Sequence, residues 1–120
     1  MGQAEEGLHV LAEMRAVINH SGERYYEAEA YRLQGELLLQ LTPLDAPQAE
    51  ACFQEALAIA RRQQAKFWEL RAAMSLSRLW QRQGRRAAAR ALLAEGYGWF
   101  TEGLDTPDIE EARVLLGELA

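Results

Sequence analysis

The chain has 120 residues, of which 49% are hydrophobic and 26% charged, the balance of one soluble globular domain rather than of a disordered or membrane protein. Its net charge of −5 and the lack of a long basic run argue against a nucleic-acid partner. The single cysteine excludes an internal disulfide, and no secretion signal or apolar run of roughly 20 residues occurs, so we expect a cytoplasmic protein without membrane contact.

Helices are predicted for almost the whole chain, because Ala, Leu, Glu, Arg and Gln dominate and β-branched residues are scarce. The first helix is predicted over about residues 4–19. Its apolar face holds Leu8, Leu11, Val17 and Ile18. No helix precedes it to cover this face, so we expect the chain to form homo-oligomers through its N-terminal helix.

The second and third helices form the best-defined pair. The second is predicted over about residues 23–41, with Tyr26, Ala30, Leu33 and Leu37 on one apolar face and Tyr31, Gly35 and Leu38 on another. Pro43 and Pro47 interrupt it. The third helix, about residues 47–63, carries a buried stripe of Ala49, Cys52, Phe53, Ala56 and Ile59. Within that stripe, Cys52 is interpreted as a small core residue rather than a reactive thiol.

Three more helices follow. The fourth, about residues 66–83, presents Leu70, Ala73, Leu76 and Trp80, and Gly84 should end it as a left-handed cap. The fifth, about residues 85–97, contains Ala87, Ala88, Ala89, Ala91 and Ala94, whose small side chains let helix axes come close. The sequence from Asp105 to Asp108 predicts the start of the sixth, which should bury Ile109, Ala112, Leu115 and Leu116.

An aromatic cluster lies between the fifth and sixth helices. It consists of Tyr97, Trp99 and Phe100. We interpret these rings as anchors that fix the last helix to the end of the structure. The alternative is an exposed patch that binds a partner.

The sequence repeats with a period of about 41 residues, a length typical of arrays of helical hairpins. Ala49 is matched by Ala89, and Gly35 by Ser77, each about one period later in the chain. Gly2 and Gly84 open similar series and lie two periods apart. The chain is therefore predicted to consist of repeated units.

These positions resemble the tetratricopeptide repeat (TPR) family. The similarity lies in Tyr31-x2-Gln34-Gly35-x2-Leu38 with Ala49-x3-Phe53-x2-Ala56, and in Ala73-x2-Leu76-Ser77-x2-Trp80-x3-Gly84-x4-Ala89-x3-Leu93. The chain departs from the usual repeat of about 34 residues by a longer proline turn, longer helices between repeats and no closing proline. In this it is similar to the C-terminal region of large bacterial signalling proteins that carry cyclase-like or predicted ATPase domains.

The resemblance implies an all-α fold of about six helices, in which antiparallel hairpins stack as a right-handed TPR-like solenoid. It covers residues 1–120 as a single domain. Residues 1–22 would be the second helix of a truncated repeat, residues 23–63 and 64–98 two repeats, and residues 104–119 a capping helix.

The sequence lacks motifs typical of nucleotide-binding, metal or catalytic sites. No Gly-x4-Gly-Lys-Ser/Thr phosphate loop occurs, and His9 and His20 lack the spacing of a metal site. No nucleophile motif stands out. We therefore expect a protein that is not an enzyme and uses no cofactor.

The first helices of TPR repeats line a concave surface, so the resemblance implies where a ligand would bind. The groove would be lined by Glu29, Arg32, Glu36, Arg71, Met74, Arg78 and Arg82. Three of these arginines share one helical face, which suits an acidic peptide or a small anion. The alternative is that opposite charges at equivalent repeat positions pair across neighbouring helices, Glu29 with Arg71 and Glu36 with Arg78.

The function expected from the sequence is a non-catalytic protein–protein interaction or scaffold module with a protein or peptide partner. It would be the C-terminal regulatory part of a larger bacterial signalling protein. The alternative is a small-ligand sensor whose groove binds an effector and shifts the activity of upstream domains.

Overall fold

In a computed structural model of the chain, residues 27–41, 46–100 and 107–120 are described. They form α1 (Glu27–Leu41), α2 (Ala46–Gln63), α3 (Lys66–Arg82), α4 (Arg86–Gly98) and α5 (Pro107–Leu119). The all-α prediction is confirmed, and the predicted bounds from α2 to α4 are correct to within one residue. The first predicted helix, and the homo-oligomer contact expected there, lie outside the described residues.

Consecutive helices pack as adjacent antiparallel pairs, and α3 lies at the centre. It contacts all four other described helices, and nine of its 17 residues are buried. Both α1 and α5 contact α3, and we call these three helices the α1–α3–α5 layer. On the other side, Leu92 of α4 packs against a cluster that contains Leu57 of α2, and Arg61 of α2 lies 4.0 Å from Glu95 of α4.

Small residues bring the two helices of each pair together. A Cβ atom on Gly35 would lie 2.6 Å from Cε1 of Phe53 and 3.1 Å from the carbonyl oxygen of Ala49, so α1 and α2 can approach this closely only at a glycine. Ser77 holds the matching position on α3, and its hydroxyl donates to the carbonyl of Ala89 on α4 at 3.1 Å. The predicted small positions therefore serve the same packing role in both pairs.

The turns after α2 and α3 use the same left-handed conformation. Gly84 has a φ of 78°, as predicted, and the N–H of Arg85 closes the helix end by donating to the carbonyl of Trp80 at 2.8 Å. After α2, Gln64 has a φ of 55°, and the N–H of Ala65 donates to the carbonyl of Ala60 at 2.9 Å. The sequence does not indicate this second cap, because glutamine is not a residue that favours the left-handed region.

The largest core cluster joins α3, α4 and α5. Its buried members are Leu70, Met74, Ala89, Leu93, Phe100, Ile109, Ala112, Leu115 and Leu119. Smaller clusters join α1, α2 and α3 around Phe53, Ala56 and Ile59. Most of the predicted core residues within the described segments are therefore buried.

Several predicted core positions are not buried. Leu33 is exposed. The half-buried positions are Tyr31, Leu37, Leu38, Cys52, Trp80 and Leu116. On α4, Ala89 is buried, but Ala87, Ala88, Ala91 and Ala94 are exposed. The alanine-rich helix therefore presents one face to the core and leaves a broad stripe of small side chains at the surface.

Candidate functional site

Arg71 joins all three helices of the α1–α3–α5 layer. Its Nη2 donates to Oε1 of Glu29 on α1 at 2.9 Å, and its Nε donates to the same oxygen at 3.1 Å. Its Nη1 donates to both carboxylate oxygens of Asp108 on α5, at 3.0 and 3.1 Å. One guanidinium thus links three helices, and the predicted pairing of Glu29 with Arg71 is confirmed.

Arg32 completes this cluster from α1. Its Nε donates to both oxygens of Glu29 at 3.1 and 3.0 Å, and its Nη1 donates to the hydroxyl of Ser75 on α3 at 3.2 Å. The side chains of Glu29 and Arg32 are only 14% and 12% exposed. Both side chains are therefore largely removed from water, and they form hydrogen bonds with other side chains of the same chain instead.

The pKa of Glu29 reflects two opposing effects. Burial alone would raise it, but hydrogen bonds and charges from Arg32 and Arg71 together outweigh burial and hold the pKa below its ordinary 4.5. The pKa of Arg71 is raised, because its hydrogen bonds to Glu29 favour the charged form more than burial opposes it. Both groups are charged at neutral pH, and the cluster is a set of ion pairs.

The ion pair at the other end of these three helices, Arg78 with Glu111, is more exposed to solvent than the Arg71 cluster. Nη2 of Arg78 donates to Oε2 of Glu111 on α5 at 3.3 Å, and these side chains are 40% and 61% exposed. The predicted pairing of Arg78 with Glu36 is therefore wrong, since the partner comes from α5. Arg82 lies in the last turn of α3, where its side chain is exposed.

A groove of about 360 Å³ lies between α3 and α5 beside Arg78. It is lined by Arg78, Glu110, Glu111, Val114, Leu115 and Glu118. Val114 is exposed within it, so the groove offers an apolar contact next to charged groups. We call Glu36, Arg78, Arg82 and Val114 the open half of the layer.

The seven predicted groove residues therefore fall into three groups. Glu29, Arg32 and Arg71 form the ion-pair cluster, whereas Glu36, Arg78 and Arg82 belong to the open half. Met74 is buried in the core and lines no surface. The sequence does not indicate the contributions of Asp108 and Glu111, because it predicts α5 as a capping helix, whereas α5 lies against α3 and brings both carboxylates to its arginines.

The aromatic cluster has a buried and an exposed part. Phe100 is buried in the core with Ile109, as expected for an anchor of the last helix. The ring centroids of Phe67 and Trp99 each lie 5.1 Å from that of Phe100, and both of these outer rings are exposed. The anchoring role therefore belongs to Phe100, with Tyr97 half-buried against the same core.

Comparisons with models of protein families, with curated proteins and with solved structures find no match for this chain. Within the described residues, no group of three His, Cys, Asp or Glu side chains is arranged to hold a metal ion. None of the five described helices is both long and apolar enough to cross a membrane.

Proposed function

We propose that the chain is a TPR-like module for protein–protein interaction. In this proposal α1–α2 and α3–α4 are two repeats of a right-handed solenoid, and α5 takes the place of the first helix of a third. The observation that carries the proposal is the order of contacts, in which the first helix of each pair packs against the first helix of the next. The close approaches at Gly35 and Ser77, which hold equivalent positions in the two pairs, support the repeats.

The binding surface of this module is the open half. Arg78 can exchange Glu111 for a ligand carboxylate, because an exposed pair of this kind is worth only about 0–1 kcal/mol. Arg71 is bound by two carboxylates, those of Glu29 and Asp108, and Glu29 is largely buried. If Arg71 turned to a ligand, the buried charge of Glu29 would lose one of the positive charges that offset it. An acidic peptide with an apolar side chain fits Arg78, Arg82 and Val114 together.

The parent protein is proposed from the sequence resemblance. The long proline turn and the long helices between repeats resemble the C-terminal region of large bacterial signalling proteins, in which such a module would regulate other domains. We propose the cytoplasm as its compartment because a single cysteine favours a reducing environment. A groove of about 360 Å³ also keeps the small-ligand sensor as a second proposal, since this volume lies within the range of small-molecule sites.

A peptide array of graded charge and apolar content tests the peptide proposal. Labelled chain should bind acidic peptides that contain an apolar residue, and Arg82→Ala should weaken that binding roughly three- to tenfold. Arg62→Ala is a matched control, because Arg62 is also an exposed arginine in the last turn of its helix, but on α2. Equal binding by the two variants would remove the open half as the site.

The sensor proposal needs a different measurement. A thermal-shift screen of anionic metabolites should raise the melting temperature of the wild type and not of Arg78→Ala if the groove binds an effector. A shift that is identical in both proteins would place the ligand elsewhere. No shift with any metabolite, together with peptide binding, would leave the interaction module as the function.

A further inference from the structure

The groove beside Arg78 contains more negative than positive charge. Among the described residues that line it, three are carboxylates of α5: Glu110, Glu111 and Glu118. Arg78 of α3 is the guanidinium that faces them, and Val114 is an exposed apolar side chain in the same groove. A ligand with carboxylates alone would therefore bring like charges together along the α5 side of the groove.

The positive and negative side chains of this surface lie on different helices. Arg78 and Arg82 are four residues apart on α3, so they project from the same face of that helix. On α5, Glu111, Val114 and Glu118 follow one another at intervals of three and four residues, which also places them on one face. From Glu111 to Glu118 this face extends about 10 Å along the helix. The surface therefore has a cationic edge on α3 and an acidic edge on α5.

The three carboxylates of the acidic edge differ in their partners. Glu110 is paired with Arg113 of its own helix, and Glu111 is paired with Arg78 at 3.3 Å. Glu118 is exposed, and within the described part of the chain no cation lies within ion-pair distance of its carboxylate. Only its backbone carbonyl accepts a hydrogen bond, from Arg86 at 3.2 Å. Glu118 therefore offers a free carboxylate to a ligand in the groove.

Binding of a ligand carboxylate also changes the situation of Glu111. A carboxylate that binds the guanidinium of Arg78 displaces Glu111, whose charge then lies beside the incoming negative charge without its cation. A positive group on the same ligand would compensate Glu111. The same group would also be attracted by the free carboxylate of Glu118.

We propose that the ligand of the open half is a peptide of mixed charge. Its carboxylate binds Arg78 and Arg82, and an apolar side chain next to it contacts Val114. A lysine or arginine of the same peptide pairs with Glu111 and Glu118, so the charges on both edges of the groove have partners of opposite sign. This inference rests on the peptide-binding function proposed above and narrows its ligand from any acidic peptide to one that also carries a cation.

Peptides of roughly ten residues that differ at a single position test the need for a cation. Each contains a pair of glutamates, a leucine and a variable residue, Lys, Gln or Glu, which is placed in turn at every other position. Fluorescence anisotropy of the labelled peptides with the purified chain measures the dissociation constants at about 50 mM salt. At the best position, Lys should tighten binding roughly three- to tenfold relative to Gln, and Glu should weaken it.

Glu118→Lys tests whether the acidic edge binds that cation. In this variant the peptides with Lys and with Gln at the best position should bind within about twofold of each other. Glu55→Lys is the matched control, because Glu55 is also an exposed glutamate in a helix, but on α2, and it should keep the preference of the wild type. Equal melting temperatures of the two variants show that the fold is retained in both.

Two results overturn the inference: equal binding of the Lys, Gln and Glu peptides by the wild type, or a preference for Lys that is as strong in Glu118→Lys as in Glu55→Lys. If the wild type binds all three equally and Arg82→Ala weakens that binding, the peptide-binding function stands and only the mixed-charge ligand is wrong. If no peptide binds the wild type at all, both proposals are wrong.

Discussion

Glu29 and Arg71 lie on different helices, and the carboxylate of one accepts a hydrogen bond of 2.9 Å from the guanidinium of the other. The same guanidinium donates to Asp108 on a third helix. A single arginine on the central helix therefore connects α1, α3 and α5. The proposed ligand is therefore assigned to Arg78 and Arg82 rather than to Arg71, which is already held by two carboxylates.

Arg71→Ala should destabilise the protein by about 2 kcal/mol, because it removes charge-assisted hydrogen bonds and leaves the largely buried Glu29 with Arg32 as its remaining cationic partner. Arg78→Ala is the comparison, since its exposed pair with Glu111 should contribute about 0–1 kcal/mol. Urea unfolding at neutral pH measures both. Equal losses in the two variants would contradict the central role of Arg71.

Lowering the pH should reduce the contribution of Glu29 to the free energy of unfolding. Its pKa is lower in the folded protein than the ordinary 4.5, so its ionised form stabilises the fold above that pH, and the contribution disappears as the pH falls through the folded-state pKa. The difference in unfolding free energy between the wild type and Glu29→Gln should therefore be constant from neutral pH to about 5 and shrink below 4.5. Urea unfolding at several pH values measures this difference. A difference that does not change with pH would show that Glu29 is not stabilised in its ionised form.

Exchanging glycine and glutamine at the two left-handed caps should change the stability of the protein in opposite directions. Gln64→Gly should stabilise the protein by about 1 kcal/mol, because a side chain at positive φ is strained, and Gly84→Gln should destabilise it by a similar amount. A Cβ atom at position 84 would meet nothing within 4 Å, so the effect there comes from the backbone alone. Thermal unfolding of each variant provides the test, and a loss of stability in Gln64→Gly would contradict it.

Gly35→Ala should cost about 1–3 kcal/mol, because the added methyl group would overlap the ring of Phe53. Ser77→Ala should cost about 1 kcal/mol, since it removes one hydrogen bond to Ala89 and adds no bulk. Combining Gly35→Ala with Phe53→Leu should recover part of the loss if the overlap is the cause. An additive effect of the two substitutions would argue against a direct clash.

Local features of the sequence were sufficient to predict the positions of the helices and the residues at their closest contacts. Proline, the left-handed glycine at position 84 and the apolar periodicity predict where helices begin and end, because these preferences act within a few residues. The repeat period also predicted that Gly35 and Ser77 are equivalent, and it offered the pairing of Glu29 with Arg71 as an alternative to a ligand groove. Each of these inferences depends on spacing along the chain alone.

The tertiary structure decided the partners of the long side chains and the exposure of the small ones. Arg78 binds Glu111 rather than Glu36, Met74 turns into the core, and most alanines of α4 face outward. A long charged side chain can reach acids on either neighbouring helix, and the lateral offset between helices selects one. The sequence by itself thus determined the helices and their repeating contacts, whereas the packing of α5 beside α3 decided which charges are paired and which stay open.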